Sequence, residues 1–369
     1  MSARTLDILC LEPWMGGSHA AFLEGWAARS AHDVEVLGLA PRHWRWRMRS
    51  APWEFARRLA RAERARPDVL FVTDYVDLPA LLGMLPPSWA DVPTVAYFHE
   101  NQLTYPEADG VERDGHLGWT NLVTCLRADA LVFNSRFHAD EFRAAGEEFL
   151  AALPRPSPRA DFAAALDRAR VIPPGVEWES IPLGRGGDGP LRVLFPHRFE
   201  HDKQPVHFLR AVREAVLAGA GLELVLLGER GARSPDGLEA ELAALGPVIA
   251  HDGFAESRDE YLALVGSCDV VASTASHEFY GIAVAEALAA GCAPLLPARL
   301  AYPEVLPEAW HAAGLYADGE LVGRLRRLAA DPVALRASEA RRALREAMHS
   351  QNRGGVAERL DCLAEQQAP

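Results

Sequence analysis

The segment Val270-Val271-Ala272-Ser273-Thr274-Ala275-Ser276-His277-Glu278-Phe279-Tyr280-Gly281-Ile282-Ala283-Val284-Ala285-Glu286 decides the fold of this chain. It begins with an apolar run that predicts a buried strand and continues through a polar loop. Glu286 then opens an alanine-rich run through Ala290 that predicts a helix. A buried strand that leads through a loop into a helix is the repeating unit of a parallel α/β sheet. The loop combines one carboxylate, Glu278, with several backbone N–H groups, a set that suits a charged sugar ligand.

Short apolar runs alternate with helical patterns in two series along the chain. The first series of predicted strands comprises Leu6–Leu11, Asp33–Leu39, Val69–Val72, Thr94–Phe98, Ala130–Asn134 and Ala169–Ile172. The second comprises Leu191–Phe195, Leu222–Leu227, Val248–Asp252, Val270–Thr274 and Ala293–Leu296. The helical patterns between them include Phe55–Arg66, Val206–Ala218 and Asp259–Cys268. Because strands rich in valine and leucine alternate with helices, each series predicts a doubly wound α/β domain.

A length of 369 residues suits two domains rather than one. We place an N-terminal Rossmann-like domain at residues 1–178 and a C-terminal Rossmann-like domain at residues 191–340. Proline and glycine concentrate between the two, so residues 179–190 are the predicted linker. Residues 341–369 are a predicted terminal helical segment, with the option of packing back on the N-terminal domain.

Composition argues against membrane and secreted proteins. No apolar run reaches the roughly 18 to 20 residues of a membrane span. The apolar run Leu6–Leu11 is too short for a signal peptide and contains Asp7. The five cysteines are scattered and odd in number, which indicates neither a disulfide framework nor a zinc site. We therefore expect a cytoplasmic protein without a membrane span, and the sequence indicates no protein partner.

Positive charge concentrates in one segment of an acidic chain. The net charge is −13, yet residues 41–66 hold nine arginines against two glutamates. At the start of this segment, arginines alternate with Trp44 and Trp46. Arginines contact phosphates and tryptophans stack on unpaired bases, so the pattern favours nucleic-acid binding. A solvated basic face with its tryptophans packed inward is a serious alternative, and acidic lipid head groups are another.

The polar loops all follow predicted strands. They are Glu12–Ser18, His99–Pro106, His197–Lys203 and Ala275–Gly281. Ligands of open parallel sheets bind beyond the carboxyl ends of the strands, so we expect these loops to line one cleft between the domains.

Two of these loops belong to the first domain. Gly16 and Gly17 let a ligand approach the backbone closely, and a helix N-terminus follows, which favours anions. The glycine spacing fits neither a P-loop nor a dinucleotide fingerprint, and a bare turn explains it equally well. His99 lies in a cluster of polar and aromatic residues. It could bind a sugar hydroxyl or shuttle a proton, and its alternative is a structural histidine.

The other two loops belong to the second domain. Arg198 and Lys203 could clamp a diphosphate, the first as a planar fork and the second as a point charge. The alternative is a solvated loop in which they pair with Glu200 and Asp202. Glu278 and a second glutamate eight residues later do not fit a glycosidase pair: in a helix they would lie about 12 Å apart, more than the roughly 5 to 9.5 Å such a pair requires.

Several motifs together resemble known families. The pattern Glu278-x7-Glu286, with Arg198 and Lys203, resembles the retaining glycosyltransferases of the GT-B fold, family 4. Longer strings look like the tRNA-queuosine alpha-mannosyltransferase family. They are residues 11–19 (LEPWMGGSH), 44–49 (WRWRMR), 98–106 (FHENQLTYP), 133–138 (FNSRFH), 197–203 (HRFEHDK), 273–281 (STASHEFYG) and 302–304 (YPE).

The resemblance implies an α/β GT-B fold with two Rossmann-like domains facing across a cleft. It also implies retaining transfer of mannose from GDP-mannose to the cyclopentene-diol of queuosine in tRNA. Implied catalytic residues are His99, Arg198, Lys203 and Glu278; implied donor-binding residues are Gly16, Gly17, Ser18, Phe279, Tyr280, Gly281, Ile282 and Glu286. Implied acceptor residues are Trp44, Arg45, Trp46, Arg47, Arg49, Asn101 and Tyr105.

The same resemblance implies no metal and no cofactor beyond the sugar nucleotide. Because no residue is an obvious nucleophile, we expect front-face displacement, in which the leaving phosphate receives the acceptor's proton. Two alternatives stay open. The first is a retaining GT-B enzyme with another sugar nucleotide and a small-molecule, glycan or lipid acceptor. The second is a non-catalytic nucleotide-sugar or RNA-binding module, against which the two glutamates, Arg198 and Lys203 argue.

Overall fold

The computed structural model of the protein describes residues 4–106, 112–184, 189–231, 234–351 and 353–368. The chain forms two compact units. The first comprises Met1–Gly175 together with Arg353–Pro369, and the second comprises Val176–Asn352.

The first unit is built on a six-stranded parallel sheet. Its strands are β1 (Asp7–Glu12), β2 (Asp33–Gly38), β3 (Val69–Thr73), β4 (Thr94–Phe98), β5 (Ala130–Phe133) and β6 (Arg170–Val171). Its helices are α1 (Gly17–Ala27), α2 (Trp44–Arg61), α3 (Leu78–Met84), α4 (Gly115–Arg127), α5 (Arg136–Ala152) and α6 (Arg159–Leu166). The strand order is β2-β1-β3-β4-β5-β6. Apolar clusters cover both faces of this sheet, as a doubly wound fold requires.

The second unit contains another six-stranded parallel sheet. Its strands are β7 (Leu191–Phe195), β8 (Leu222–Leu227), β9 (Ile249–Gly253), β10 (Val270–Ala272), β11 (Ala293–Pro297) and β12 (Leu315–Tyr316). The helices up to β12 are α7 (Pro205–Leu217), α8 (Leu238–Leu245), α9 (Arg258–Gly266), α10 (Ile282–Ala289), α11 (Tyr302–Val305) and α12 (His311–Gly314). Three more follow: α13 (Leu321–Ala330), α14 (Pro332–Arg336) and α15 (Ser338–Ala347). The strand order is β12-β11-β10-β7-β8-β9.

The last helix, α16 (Arg353–Gln367), belongs to the first unit and packs on α1. Its buried Asp361 accepts hydrogen bonds from Trp26 Nε1 at 2.7 Å, from Ser30 Oγ at 2.7 Å and from the Ala31 N–H at 2.8 Å. The predicted terminal segment 341–369 is therefore divided at Arg353, because the preceding α15 stays with the second unit. The division between the units at Gly175 also differs from the predicted boundary at 178.

Two further predictions differ from the structure, and one strand was not predicted. Helix α2 begins at Trp44, eleven residues before the predicted start at Phe55, and contains Pro52. Helix α10 begins at Ile282, so Glu286 lies inside it and does not open it. Strand β12 was not predicted, since two residues are too short for a recognisable pattern. Residues 185–188 of the predicted linker lie outside the described residues. Within the described residues no helix has the length and apolar character to cross a membrane.

Candidate functional site

The carboxyl ends of β7 and β10 bring Lys203 and Glu278 together. Lys203 Nζ lies 3.1 Å from Glu278 Oε2 and donates to the His277 carbonyl at 2.9 Å. The same ammonium lies 3.1 Å from Asp202 Oδ2. Its side chain is mostly buried, and the contact with Asp202 is an ion pair without a hydrogen bond.

Polar contacts hold the two loops that carry this pair. Ser276 donates its N–H to the Asp202 carbonyl at 2.8 Å, and Thr274 Oγ1 donates to the Lys203 carbonyl at 2.9 Å. These bonds connect the segment after β10 to the short 3-10 turn His201–Lys203 that follows β7. The positions of Lys203 and Glu278 are therefore set by the backbone of both loops.

Electrostatics keep both members of the pair charged. Burial would lower the pKa of Lys203, but the carboxylates of Glu278 and Asp202 outweigh it and raise the pKa above its ordinary value. Burial would likewise raise the pKa of Glu278, but Lys203 outweighs it and the pKa falls. His197 nearby is buried beside Lys203, and both effects lower its pKa to about 4. The site thus holds the Lys203 ammonium, the Glu278 carboxylate and a neutral His197 imidazole at pH 7.

Gly281 connects the Glu278 loop to α10. Its φ of 88° lies in the left-handed region that favours glycine. The side chains of Phe279 and Tyr280 are buried, so these residues offer a ligand their backbone only. Ile282 opens α10, and the first N–H groups of a helix have no partner within it. The turn therefore presents backbone donors and the positive end of a helix dipole beside Glu278.

Glu286 lies buried in α10 and binds two side chains of α9. Arg258 Nη2 donates to Glu286 Oε1 at 2.5 Å, and the Tyr261 hydroxyl donates to Oε2 at 2.8 Å. The sequence did not indicate Arg258 or Tyr261 as site residues. The sequence signal that bears on them is Ser257, a serine that caps α9. It predicts that the helix begins at Arg258, which places Arg258 and Tyr261 near its N-terminus.

Arg198 is placed differently from the other predicted diphosphate ligand. Its side chain is 54% exposed, and Nη1 lies 3.5 Å from Glu200 Oε1. The predicted pairing of Arg198 with Glu200 is present, and so is that of Lys203 with Asp202. The exposed guanidinium can turn toward an anion at low cost, whereas Lys203 is held in place.

In the first unit, the ends of β1 and β4 bring Glu12, His19 and His99 together. Glu12 is fully buried; its Oε1 accepts the Trp14 N–H at 2.7 Å, and its Oε2 accepts from His19 Nδ1 at 3.1 Å. The ring of His19 stacks on that of His99 with centroids 4.0 Å apart. The Glu12–His19 pair was not predicted. The sequence signal for this pair is the position of Glu12 at the end of a buried strand, because a buried carboxylate needs a hydrogen-bonding or charged partner.

The two stacked histidines titrate in opposite directions. Burial would lower the pKa of His19, but Glu12, aided by Asp74 and Glu100, outweighs it and raises the pKa to about 9. Burial and the charge on His19 lower the pKa of His99 well below its ordinary value. The pair is therefore one imidazolium beside one neutral imidazole at pH 7.

Backbone contacts hold His99 in position. Its N–H donates to Asp74 Oδ1 at 2.8 Å, and its carbonyl accepts from Asn134 Nδ2 at 2.8 Å. The Asn134 side chain in turn contacts His138 Nδ1 at 2.8 Å. Among the described residues, His99 Nε2 has no hydrogen-bond partner although it is buried. An oriented, neutral nitrogen of this kind is ready to bind a hydroxyl group.

Glu12, His19 and His99 also form a group with metal-ligand chemistry, since one potential ligand atom of each lies within 4.8 Å of the others. Their contacts fit a metal poorly. Both oxygens of Glu12 already accept hydrogen bonds, and His19 carries a proton on the nitrogen that faces Glu12. A metal would have to displace that proton and separate two stacked rings. We assign the group to hydrogen bonding.

The glycine turn after β1 leads directly into α1. Gly17 has a φ of 53°, and Gly16 packs so closely on Pro41 that an added Cβ would lie 2.7 Å from its Cγ. Gly17 and Ser18 are exposed at the N-terminus of α1. The sequence prediction of an open backbone at a helix start thus agrees with the local geometry, and close packing accounts for Gly16 on its own.

Two predicted acceptor residues follow β4. Asn101 is fully buried, and its Oδ1 accepts the N–H groups of Leu103 and Thr104 at 3.0 Å. The amide of Asn101 thus serves the turn, and its contact with the acceptor stays a prediction. Tyr105 is half-buried, and its N–H donates to the Asn101 carbonyl at 3.2 Å.

The predicted Trp44–Arg49 strip is the first part of α2 and not a loop. A helix turns its side chains in different directions, so the strip does not present one surface. Arg47 is buried, donating to the Ala40 carbonyl at 3.2 Å and to Glu54 at 2.6 Å. Its guanidinium forms a structural ion pair, and its acceptor contact stays a prediction. Arg49 pairs with Asp114 and stays partly exposed.

The tryptophans of the strip also diverge. Trp44 is partly buried, its ring 6.2 Å from that of Tyr75 and 5.0 Å from the Arg45 guanidinium. Trp46 is exposed to solvent. Of the predicted strip, Trp46, Arg45 and Arg49 are placed where an external ligand could reach them.

Comparison with known proteins is consistent with this geometry. Residues 7–176 match the family model described as tRNA-queuosine alpha-mannosyltransferase N-terminal, and residues 184–349 match the model described as glycosyl transferases group 1. A Drosophila melanogaster protein named tRNA-queuosine alpha-mannosyltransferase is 31% identical over 319 residues, which cover 84% of each chain.

Solved structures share the architecture at low sequence identity. Sucrose-phosphate synthase from Thermosynechococcus elongatus matches with a TM-score of 0.71 at 15% identity, over 98% of each chain. The Anabaena protein HepE, solved with UDP and glucose, matches with a TM-score of 0.66 at 16% identity, over 98% of this chain and 100% of HepE. These likenesses show the fold alone. They confirm the predicted α/β class, a GT-B fold of two Rossmann-like units.

Proposed function

Because the chain belongs to the tRNA-queuosine alpha-mannosyltransferase family, we propose that it transfers mannose from GDP-mannose to the cyclopentene-diol of queuosine in tRNA, with retention of configuration. The group 1 domain and the family relative establish that it is a glycosyltransferase. The identity of the donor, the retention of configuration and the acceptor are what we propose beyond that activity.

One observation carries the donor half of the proposal: the buried Lys203–Glu278 contact beside the N-terminus of α10. Such an arrangement combines a fixed cation, a fixed carboxylate and backbone N–H donors within one turn. The cation and the N–H groups suit a diphosphate, and the carboxylate suits the hydroxyls of a hexose. A plain hydrolase would need no such diphosphate subsite.

Donor binding would change the partners of Lys203. Its ammonium donates to the His277 carbonyl and to Glu278 and forms an ion pair with Asp202, so a phosphate oxygen would compete with these contacts. We propose that Glu278 exchanges Lys203 for a mannose hydroxyl and that Lys203 turns to the β-phosphate. Arg198, which is exposed, would approach the same phosphate from solvent. The positive charge then offsets the negative charge that grows on the leaving group.

The proposed reaction is a front-face displacement. The bond between the mannose anomeric carbon and the β-phosphate oxygen breaks. A bond from that carbon to a queuosine hydroxyl oxygen forms on the same face. The proton of this hydroxyl moves to the leaving phosphate oxygen, so GDP and mannosylated tRNA are the products. The neutral Nε2 of His99 would bind a mannose hydroxyl and hold the sugar during this step.

The remaining donor contacts follow from the same assignment. Glu286 would accept the ribose hydroxyls and share them with Arg258 and Tyr261. Gly16, Gly17 and Ser18 would face the donor phosphates. We propose that the reaction needs no metal, because Lys203 and Arg198 supply the positive charge, and that it takes place in the cytoplasm, where tRNA is available.

Labelled GDP-mannose and purified tRNA test the proposal directly. The enzyme is incubated with two tRNA samples that differ only in the presence of queuosine. Label should enter the queuosine-containing tRNA and not the other. Periodate, which cleaves a free cis-diol, should no longer attack the modified cyclopentene. Transfer to both samples, or to a small-molecule acceptor alone, would overturn the assigned acceptor.

A further inference from the structure

Helix α2 has an outer face with an unusual composition. Trp46 is 64% exposed and Trp53 is 55% exposed, and both belong to this helix. Arg57 and Arg61 follow on the same side and are exposed as well. We call the surface formed by Trp46, Trp53, Arg57 and Arg61 the α2 outer face.

Helical spacing explains why these residues share one side. The successive intervals from Trp46 to Trp53, from Trp53 to Arg57 and from Arg57 to Arg61 are seven, four and four residues, close to whole turns. The opposite side of α2 is buried in the core through residues that include Ala51, Phe55 and Leu59. The apolar stripe that anchors the helix is thus separate from the two tryptophans. Packing within the unit does not explain their presence.

The cations of this face are available for an anion. The Arg57 guanidinium lies 5.3 Å from the ring centroid of Trp53, a cation–π distance. Among the described residues, neither Arg57 nor Arg61 forms a salt bridge, whereas Arg58 on the same helix pairs with Glu54 at 2.7 Å. In a chain with a net charge of −13, two unpaired arginines beside two exposed tryptophans are a local exception.

We propose that the α2 outer face binds an unpaired segment of the RNA substrate, with Trp46 and Trp53 stacking on bases and Arg57 and Arg61 contacting phosphates. This rests on the proposed function only in taking RNA as the partner. Seven residues of helix separate the tryptophans by about 10 Å, which is about three times the 3.4 Å between stacked bases. The two rings would therefore hold bases that are not adjacent in a stack, as in a splayed loop.

The geometry favours RNA over a membrane surface. A helix that lies in a membrane interface turns a broad apolar face toward the lipid and its arginines away from it. In α2 the broad apolar face is buried in the core, and the two tryptophans stand among arginines. Aromatic rings interleaved with cations match the alternation of bases and phosphates in a single strand.

Binding to queuosine-free tRNA tests the face independently of catalysis, with anisotropy measured over a series of salt concentrations. Trp53→Ala should weaken binding by roughly 5- to 150-fold, and the slope of log K against log salt should not change. Trp53→Phe should restore most of the affinity. Arg57→Gln should instead reduce the magnitude of the slope by about 0.7.

Two control variants isolate the effect. Arg58→Gln removes the same charge from the same helix, but its arginine pairs with Glu54. Leu217→Ala removes an exposed apolar side chain from the second unit. Both should bind tRNA as the wild type does. Equal losses of tRNA affinity in Arg58→Gln and Arg57→Gln would show that the α2 outer face contributes only non-specific positive charge, and would overturn the proposal.

Other outcomes separate this proposal from the proposed function. If tRNA binding shows these signatures while no mannose is transferred, the face stands and the proposed function fails. If queuosine-tRNA is mannosylated and Trp53→Ala leaves its KM unchanged, the face is overturned and the function stands. Vesicles of phosphatidylserine provide a third arm. A loss of vesicle binding in Trp53→Ala, with tRNA binding unchanged, would replace RNA with a lipid surface.

Discussion

Lys203 Nζ and Glu278 Oε2 lie 3.1 Å apart although 75 residues separate them in the chain. One follows β7 and the other follows β10, and these strands are neighbours in the second sheet. The parallel order of the sheet therefore creates the contact, since both loops leave the same edge. A cation and a carboxylate placed in this way keep each other charged.

Two replacements of Lys203 should distinguish the effect of its charge from the effect of its position. We expect Lys203→Met to lower kcat by about 10²- to 10³-fold, because a donor to the leaving group is lost. It also leaves Glu278 and Asp202 buried without their cation, which raises the pKa of Glu278 and destabilises the unit. Steady-state kinetics with GDP-mannose measure the first effect, and thermal unfolding measures the second.

Lys203→Arg is the control for that loss of stability. It keeps the charge, so unfolding should return toward the wild-type temperature while kcat stays low. The planar guanidinium directs its donors from a fixed fork, whereas an ammonium is a compact point charge that reaches its acceptors from one atom. Wild-type turnover in Lys203→Arg would show that charge alone is needed and would contradict the assigned geometry.

Glu286 should affect donor binding more than the chemical step. Glu286→Gln keeps the size of the side chain but removes the charge that Arg258 and Tyr261 bind. We expect GDP to bind about 10-fold more weakly, a loss of about 1.4 kcal/mol, with a smaller change in kcat. Calorimetric titration with GDP measures this directly. Arg258→Ala serves as the comparison, because it removes the partner while Tyr261 still holds the carboxylate.

The Glu12–His19 pair predicts a pH dependence of stability. The folded pKa of His19 is raised to about 9, above its ordinary value. Its contribution is therefore fully present below about pH 6.5 and is lost as the pH rises through about 9. We expect the free energy of unfolding to fall over this window by up to about 3 kcal/mol. Chemical denaturation at a series of pH values measures it.

His19→Asn isolates that contribution. The asparagine amide can donate to Glu12 as Nδ1 does but does not titrate. The difference in stability between wild type and His19→Asn should shrink from pH 6.5 to 9. His99 and His197, whose pKa values are lowered, add nothing to this window because they titrate below it. A constant difference across the window would show that His19 is neutral in the folded protein.

Chelation should leave transfer unchanged. Lys203 and Arg198 would supply the positive charge that a metal could otherwise provide. Glu12 is already bound to His19, whose ring stacks on that of His99. We expect the rate to persist after dialysis against EDTA. A rate that falls and is restored by Mg²⁺ or Mn²⁺ would contradict the proposed metal independence.

Buried strands were the most predictable part of the fold. Thr94–Phe98 and Leu191–Phe195 were predicted with the bounds that the structure has. Such strands are covered on both faces and read as continuous apolar runs. The start of α2 was missed because Trp44–Arg49 lacks an apolar period and Pro52 normally interrupts a helix. Local pattern thus identifies the sheet better than the helices that cover it.

The site was predictable only where its residues lie on strand ends. Loops after β7 and β10 pointed to Lys203 and Glu278, since parallel strands end at one edge. Partners contributed by helices were not predictable. Arg258 binds Glu286 across 28 residues, and such a pair depends on how α9 packs against α10. Asn101 shows that a polar residue in a candidate loop can also hold the loop itself, which its sequence position does not reveal.

Asp361 should be essential to the stability of the first unit. It accepts three hydrogen bonds from the end of α1 and the turn after it. We expect Asp361→Ala to lower the free energy of unfolding by about 2 to 4 kcal/mol, since the buried Trp26 N–H loses its acceptor. Exposed Glu358 on the same helix provides the control, and Glu358→Ala should change little. Urea unfolding followed by tryptophan fluorescence compares the two.

The return of α16 to the first unit also bears on the order in which the protein can be made. Residues 353–367 leave the ribosome after every residue of the second unit. The second unit can therefore fold during synthesis, while the first must wait for the α16 residues, such as Val356 and Leu360, that complete the apolar cluster on one face of its sheet. Translation of the last helix completes the unit that was begun first. Until then, a nascent chain would offer that face to chaperones.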